Sequence, residues 1–409
     1  MKSFEAYAIK ALLDGRLDIV AGLKSDYFTD KYKRIYMLCL EFFEQHKKLP
    51  SSDELIAIIE VKAPVQVKSV YQALVTGLQN IEDSPDIAVI LSGLTEQHVL
   101  RNVDSDIEEL VLASRDRDVT KVKNLLNKLN NQVNLNGIEI MDIADVKDMT
   151  DDHPTARSFL PKDHEDEFLG GGHTGLTIIS GGTGGGKTVA LLQAAANNYL
   201  DGKNVLFITL ELPKSVLYKR LMSSVSGIEF GKILNNTLTP DEQKELDKIH
   251  NEMFNPNNTN YFKIIDETID DLQLLNIIAV EAQLRQLDVV VLDYIQLVEI
   301  NSSGDDWRGL SHLAKKLHKL TRTYGVTVIT AAQINSEGKE KGTIMPKITA
   351  RGSRELEFSS SQFLHLEPEP ESGGLIMFSK KNRMAECKHL ILEKDFKHMR
   401  IESTGLALN

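Results

Sequence analysis

Apolar residues along the first hundred positions recur at helical spacing. Ile9, Leu12 and Leu13 share one face, and so do Ile35, Leu38, Cys39 and Phe42. In LPSSDELIAII, Ser52 stands two residues before Glu54 and just ahead of Leu55, which marks a helix start. Residues 102–135 form a second helical stretch. Leu110, Val122, Leu125, Leu126 and Leu129 give it only a narrow apolar stripe, the pattern of a helix laid on a neighbour. The polar, proline-bearing segment MTDDHPTARSFLPKDHEDE reads as a linker. After Phe168 short β-rich runs alternate with helical segments. The runs are LTIISGG (176–182), NVLFITLEL (204–212), YFKIID (261–266), LDVVVLDYIQL (287–297), VTVITAAQIN (326–335) and LIMFSKK (375–381). Such near-continuous Val/Ile/Leu strands with helices between them predict an α/β fold whose mostly parallel sheet is covered on both faces. ECKHLILEKDFKHMRIES predicts a closing hairpin at one edge. The expected division is a helical N-terminal domain (1–100), a linker helix and linker (101–160), and a P-loop core (161–409).

Composition narrows the class without naming a chemistry. The chain has 409 residues, 42% of them apolar and 26% charged, as in an ordinary globular protein large enough for two or three cores. No apolar run approaches a membrane span. The opening MKSFEAYAIKALLDG mixes charges into its apolar residues and has no signal-peptide core. Cys39 and Cys387 lie far apart without a metal-binding pattern, so a reduced cytoplasmic protein is expected. A net charge of −12 excludes a surface that coats nucleic acid everywhere, but not a local basic channel.

The candidate chemistry lies at the strand ends. Gly181, Gly182, Thr183, Gly184, Gly185, Gly186, Lys187 and Thr188 complete a P-loop pattern between a strand and a helix. Its glycines let backbone N–H groups face phosphate oxygens. Lys187 reaches the β- and γ-phosphates, and Thr188 offers a hydroxyl to Mg²⁺. Asp293 ends VVVLD, where a carboxylate completes the metal site of ATP. Glu211 ends VLFITLE and is the candidate general base toward water. Gln333 ends VTVITAAQ, as a γ-phosphate sensor or as a buried core amide. In NSEGKEKGTIMPKITARGSR, Lys339, Lys341, Lys347, Arg351 and Arg354 face only Glu337 and Glu340. Five positive charges less two negative leave +3, either a phosphodiester grip or a solvated loop. In SKKNRM, Lys381 and Arg383 lie two apart at a strand tip and project the same way, toward a phosphate or simply into water.

Together these residues resemble the DnaB-like replicative helicases, ring-forming motors with a RecA-type core. VVVLDYIQL is similar to that family's Walker B strand, ITLELPKS to its catalytic-glutamate strand at Glu211, and ITAAQIN to its sensor strand at Gln333. ITARGSRELE resembles a degraded form of its DNA loop, with Arg351 and Ser353 in place but Gly352 and Arg354 where the family shows Glu and Gly. SKKNRM is similar to its Lys-x-Arg finger, at Lys381 and Arg383. The N-terminal EAYAIKALLDGRLDIVAGLKSDYFTDKYKRIYMLCLEFFEQHKKLPSSDELI also resembles the family's helical domain. The resemblance implies an ATP- and Mg²⁺-dependent homo-hexamer that moves 5′ to 3′ on single-stranded DNA. Lys339, Lys341, Arg351, Gly352 and Arg354 would contact DNA, and a primase and a loader would be its partners. The compact chain suggests a phage or plasmid version, acting in a bacterial host's cytoplasm. A RecA- or RadA-type recombinase filament, or a P-loop assembly module without a DNA role, shares the same core motifs.

Overall fold

The computed structural model describes residues 3–81, 84–115, 117–118, 121–122, 125, 156–255, 257–300, 306–334, 336–339, 346–348, 353–369 and 372–408. The chain divides into two compact units, residues 1–152 with 279–284, and residues 153–278 with 285–409. No helix among the described residues is long and apolar enough to cross a membrane.

The first unit is helical, with α1 (Phe4–Leu13), α2 (Asp30–His46), α3 (Ser52–Lys62), α4 (Val65–Gln79) and α5 (Ile87–Arg115). Ile9, Leu12, Leu38, Leu55, Ile59 and Leu94 share its core. The start of α3 corrects the sequence reading by one residue. Ser51, not Ser52, accepts from the Glu54 N–H while Glu54 accepts from the Ser51 N–H, because a capping box needs a spacing of three. The break expected near residue 100 is also absent, since α5 runs through it. Leu110 lies on α5; Leu126 and Leu129 fall outside the described residues. Glu5 is buried, and its charge is matched by Arg101 at 2.9 Å and by the Thr29 N–H. Burial pushes the Cys39 thiol up to about 12, so it is an inert packing group.

The second unit is built in the order α6 (Lys162–Leu169), β1 (Leu176–Gly181), α7 (Lys187–Leu200), β2 (Val205–Thr209), α8 (Lys214–Ser226), α9 (Phe230–Asn235), α10 (Pro240–Met253), β3 (Phe262–Ile265), α11 (Asp271–Arg285) and β4 (Val289–Asp293). There follow α12 (Asp306–Tyr324), β5 (Thr327–Gln333), the small pair β6 (Ser336–Lys339) and β7 (Pro346–Ile348), α13 (Ser353–Ser359), and β8 (Gln362–Pro368) to β11. The last three strands are β9 (Leu375–Asn382), β10 (His389–Asp395) and β11 (Arg400–Leu408). The large sheet has the order β11-β10-β9-β8-β1-β5-β4-β2-β3. Strands β8, β1, β5, β4, β2 and β3 run parallel; β9 to β11 run antiparallel at one edge, the expected hairpin among them. Strands β1, β2 and β4 are buried along their whole length, as their unbroken apolar runs require.

Two parts of the sequence reading change. The segment read as linker runs into a helix, α6; Phe159 and Leu160 of that segment join the core, as do Phe168 and Leu169 at the end of α6. Strand β8 has no counterpart in the sequence reading. Its Gln362 and His365 are fully buried but hydrogen-bonded, so the polarity of SSSQFLHLEP conceals a central strand.

The turn from α6 into β1 depends on glycine. Gly172 has φ +125°, and a Cβ there would fall 2.5 Å from Ala156 O and 2.6 Å from Glu165 Oε1. Glu165 cannot give way easily, because it is buried and holds Arg157 Nε at 2.7 Å and the Ser158 N–H at 3.0 Å. Gly172→Ala is therefore expected to cost about 1–3 kcal/mol. The check is the urea midpoint of the cooperative transition; an unmoved midpoint would refute this account of the turn.

Candidate nucleotide site

The phosphate loop is set by strand β1 ending and helix α7 beginning. Gly184 and Gly186 take φ +72° and +84°, and the Gly185 N–H closes on Gly182 O at 3.2 Å. A Cβ at Gly186 would press on Ile401 and Leu375, and one at Gly181 would lie 2.8 Å from Leu366 O. The loop is thus held close to its neighbours, with N–H groups gathered at the N-terminus of α7. Lys187, the first residue of α7, folds its ammonium back onto Gly181 O at 3.0 Å and Gly182 O at 2.7 Å. Those carbonyls satisfy the cation within the loop. Burial lowers the Lys187 pKa, against the charges of Asp293 and Glu211.

Asp293 closes β4 beside β2, opposite Thr209, and only 1% of it is exposed. Burial raises its carboxyl pKa to about 6, and the nearby charge of Glu211 pushes the same way; the Thr188 hydroxyl, Lys187 and Arg220 hold it down. Its Oδ2 has no hydrogen-bond partner among the described residues. A buried carboxylate with a spare oxygen next to a threonine hydroxyl has the donor chemistry for a hard divalent cation. Thr188 and Asp293 therefore fit the metal role that sequence assigns them.

Glu211 is exposed and lies two residues past the end of β2, in the turn before α8, not on the strand. Its charge still reaches Asp293, Lys187 and Tyr294. Gln333 does end β5, paired in register with Gly181. Its Nε2 donates to Thr183 Oγ1 at 2.9 Å, which ties the β5 tip to the phosphate loop. Sequence reasoning misses two contributors. Gln296 clamps the Gln333 backbone, accepting from its N–H and donating to its carbonyl, each at 3.2 Å. The available signal is the glutamine of the Asp-Tyr-x-Gln run. Arg220 on α8 bears on Asp293 and lies over the Phe230 ring at 5.6 Å; nothing in a helical arginine announces this.

The remaining candidates lie elsewhere. Strand β9 runs antiparallel to β8, so its last residue, Asn382, pairs with Gln362, which in turn pairs with Thr177 at the start of β1. Arg383 follows Asn382 and is exposed. It therefore stands at the end of the sheet away from Gly181, four strand residues or about 13 Å back along β1. Lys381 lies on β9 and Arg383 just past its end, and the charge of Arg383 reaches Lys381. Lys381 Nζ donates to Glu357 O at 2.7 Å and Phe358 O at 3.0 Å, carbonyls of the last turn of α13. Arg383, Arg322 and Lys381 together add to the burial that lowers the His318 pKa, so these cations share one neighbourhood. Of the candidate DNA contacts, Lys339 lies on β6 and Arg354 is exposed on α13. Lys341, Arg351 and Gly352 lie outside the described residues.

Beneath the loop, Ser180 Oγ lies 2.9 Å from His365 Nδ1, and His365 Nε2 lies 2.9 Å from Glu367. The arrangement has the order of a nucleophile chain. Ser180 is nevertheless fully buried within β1 and also donates to Leu364 O, so it ties β1 to β8.

The raised Asp293 pKa sets a pH dependence. Below about 3.8 the carboxyl is protonated whether the chain is folded or not. Between 3.8 and about 6 the unfolded chain releases a proton that the folded chain keeps, so stability falls as pH rises through that window. Without nucleotide and with a chelator, Asp293→Asn should raise the melting temperature at pH 7.5 clearly more than at pH 4.5. The whole effect of a shift of roughly two units is about 3 kcal/mol, of which about 2 kcal/mol develops between pH 4.5 and pH 7.5. Equal effects at both pH values would show that the charge at Asp293 is not buried.

Residues 163–366 match the family model of the DnaB-like helicase C terminal domain. A probable replicative DNA helicase of Trieres chinensis is 29% identical over 170 residues, 39% of this chain and 35% of that protein. A probable plasmid replicative DNA helicase of Chlamydia psittaci is 24% identical over 223 residues, 54% of this chain and 47% of that protein. Replicative DNA helicase DnaB of Nostoc sp. is 28% identical over 181 residues, 41% of this chain and 19% of that protein. The chain thus spans half or less of the length of these relatives. Among solved structures, a DnaB-like replicative helicase described with its interactions with primase aligns with TM-score 0.53 at 16% identity, over 98% of this chain and 99% of that one. A separately solved ATPase domain aligns with TM-score 0.51 at 18% identity, over 62% of this chain and 93% of that one. At such identities the likeness is one of fold.

Proposed function

We propose, from the match of residues 163–366 to the DnaB-like helicase C terminal domain, that the chain is an ATP-driven replicative DNA helicase. In this reading it forms a homo-hexameric ring, moves 5′ to 3′ on single-stranded DNA and acts in the cytoplasm with a primase and a loader. The observation that carries it is the convergence of Lys187, Thr188, Asp293, Glu211 and Gln333 on one end of the sheet.

The phosphate loop from Gly181 to Gly186 binds the triphosphate through its N–H groups. Lys187 leaves the Gly181 and Gly182 carbonyls for the β- and γ-phosphates. Thr188 and Asp293 would hold Mg²⁺, which would supply positive charge against the phosphate oxygens. Glu211 stands beside this centre but in water, where it orients the attacking water and accepts its proton. Gln333, held from behind by Gln296, reports the γ-phosphate to the start of the basic segment 335–354. There Lys339, Lys341, Arg351, Gly352 and Arg354 grip the DNA backbone without reading bases.

Arg383 and Lys381 belong to the neighbour's site in this reading. The antiparallel course of β9 supports it, since it carries Arg383 away from the chain's own phosphate loop. In a head-to-tail ring each site takes Glu211 from one subunit and Arg383 from the next. Lys381, bonded to α13, is released to phosphate only as the neighbour docks.

Two measurements test the proposal. With ATP and Mg²⁺, the protein should unwind forked DNA when the 3′ tail is blocked and fail when the 5′ tail is blocked. Open filaments without unwinding would point to a recombinase, and ATPase indifferent to DNA would point to an assembly module. Second, Glu211→Gln and Arg383→Ala should each lose roughly 10²-fold or more in ATP turnover. Mixed equally under subunit exchange, about a quarter of interfaces pair an intact Glu211 with an intact Arg383, so activity should partly return. Demonstrated exchange with no return would remove Arg383 from the neighbour's site.

A further inference from the structure

The turn that presents Arg383 is fixed from both sides by one asparagine. Asn382 Oδ1 accepts from the Met384 N–H at 2.9 Å, so Arg383 sits inside a side-chain-closed turn. The same oxygen accepts from Gln362 Nε2 at 3.2 Å, and Asn382 Nδ2 donates to Leu169 O at 3.4 Å. Gln362 is fully buried and has no spare capacity. Its Nε2 also donates to Gly172 O at 2.9 Å and Leu169 O at 3.3 Å, and its Oε1 accepts from Thr177 Oγ1 at 3.1 Å and lies 2.8 Å from His173 Nδ1. The turn is also sterically enclosed: a Cβ on Gly170, at φ +71°, would lie 2.7 Å from Met384 O. An exposed arginine on a free strand end would need no such support. Here the backbone on either side of Arg383 is tied, through Asn382 and Gln362, to the end of α6 and to the root of β1.

We infer that Asn382 is a positioning residue for Arg383, holding its guanidinium in the direction needed to reach a second copy of the chain, with Gln362 as the buried anchor. The inference rests on the reading that Arg383 acts in the neighbour's site. Asn382 touches no reacting atom. It removes the freedom of the turn, so Arg383 meets the transferring phosphoryl group without an ordering cost. Displacement by about an ångström costs up to roughly 10²-fold in rate, and the loss falls on kcat because nucleotide is still held by the untouched phosphate loop.

Asn382→Ala should therefore lower kcat for ATP roughly 10- to 100-fold while KM moves less than about threefold. Asn382→Ser, whose hydroxyl can still accept from Met384 N–H, should recover most of the loss. The decisive measurement is assignment to a half-site by mixing. Asn382→Ala should regain turnover when mixed with Glu211→Gln, and should not when mixed with Arg383→Ala, because those two defects share one half of the interface. Recovery with Arg383→Ala, wild-type turnover of Asn382→Ala alone, or no recovery with Glu211→Gln would each overturn the assignment. The control pair Glu211→Gln with Arg383→Ala separates the two levels: if it fails under proven exchange, the trans site falls and Asn382 with it. If Asn382→Ala does not assemble, the same mixtures are run with Asn382→Ser and Asn382→Val. Equal turnover of those two would then refute the role.

Discussion

One carboxylate almost sealed from water governs the candidate nucleotide site of this structure. Asp293 ends a strand buried along its whole length, so its charge has lost most of its solvation. A lone ion in such a place is unfavourable by several kcal/mol and would simply keep its proton. The surroundings are a partial answer. Thr188 offers a hydroxyl, while Lys187 and Arg220 bring positive charge; Glu211 opposes them. The balance is left unsettled, with the carboxyl titrating near 6 and one oxygen unpartnered among the described residues. A site left electrostatically incomplete gains most when a cation and a polyphosphate arrive together. The lysine held by the loop's own carbonyls has the same character, satisfied but by weak partners.

How much of this is legible in the sequence depends on whether a feature is local. The phosphate loop is legible because its glycines, lysine and threonine act through fixed chain spacing. The parallel strands are legible because burial on both faces leaves unbroken apolar runs. Strand β8 is not, since its interior carries Gln362 and His365, and polar residues read as exposed until their partners are known. Those partners are Thr177, His173 and Ser180, all nearly two hundred residues away. The linker misleads for the converse reason: Phe159 and Leu160 are core residues hidden among charges. Lys381 and Arg383 are found by spacing, but spacing assumes that the strand continues through both. The strand stops at Asn382, and Lys381 is bonded to carbonyls of α13 while Arg383 is exposed, a difference that spacing does not show.

The fold divides labour between the two directions of its strands. Parallel strands bring Thr188, Asp293 and Gln333 to a common end, because every strand tip points the same way. The antiparallel return of β9 sends what it carries to the opposite end. Networks at the two ends are built differently. At the phosphate loop they are sparse and replaceable; at the end of β9 they are saturated, with Gln362 using every donor and acceptor it has. The first arrangement suits a group that must change partners, the second a group that must not move.

The reversal of β9 has a consequence for how working sites are counted. If a chain's phosphate loop faces one neighbour and its Arg383 faces away, the catalytic unit is a junction, and a solitary chain owns none. A closed circle of chains has as many junctions as members. A broken circle has one fewer, leaving a phosphate loop at one end and an arginine at the other, each idle. In such a ring closure would become a quantity that chemistry can read: opening any one seam would silence that seam alone, and the rate of turnover would report whether the circle is whole.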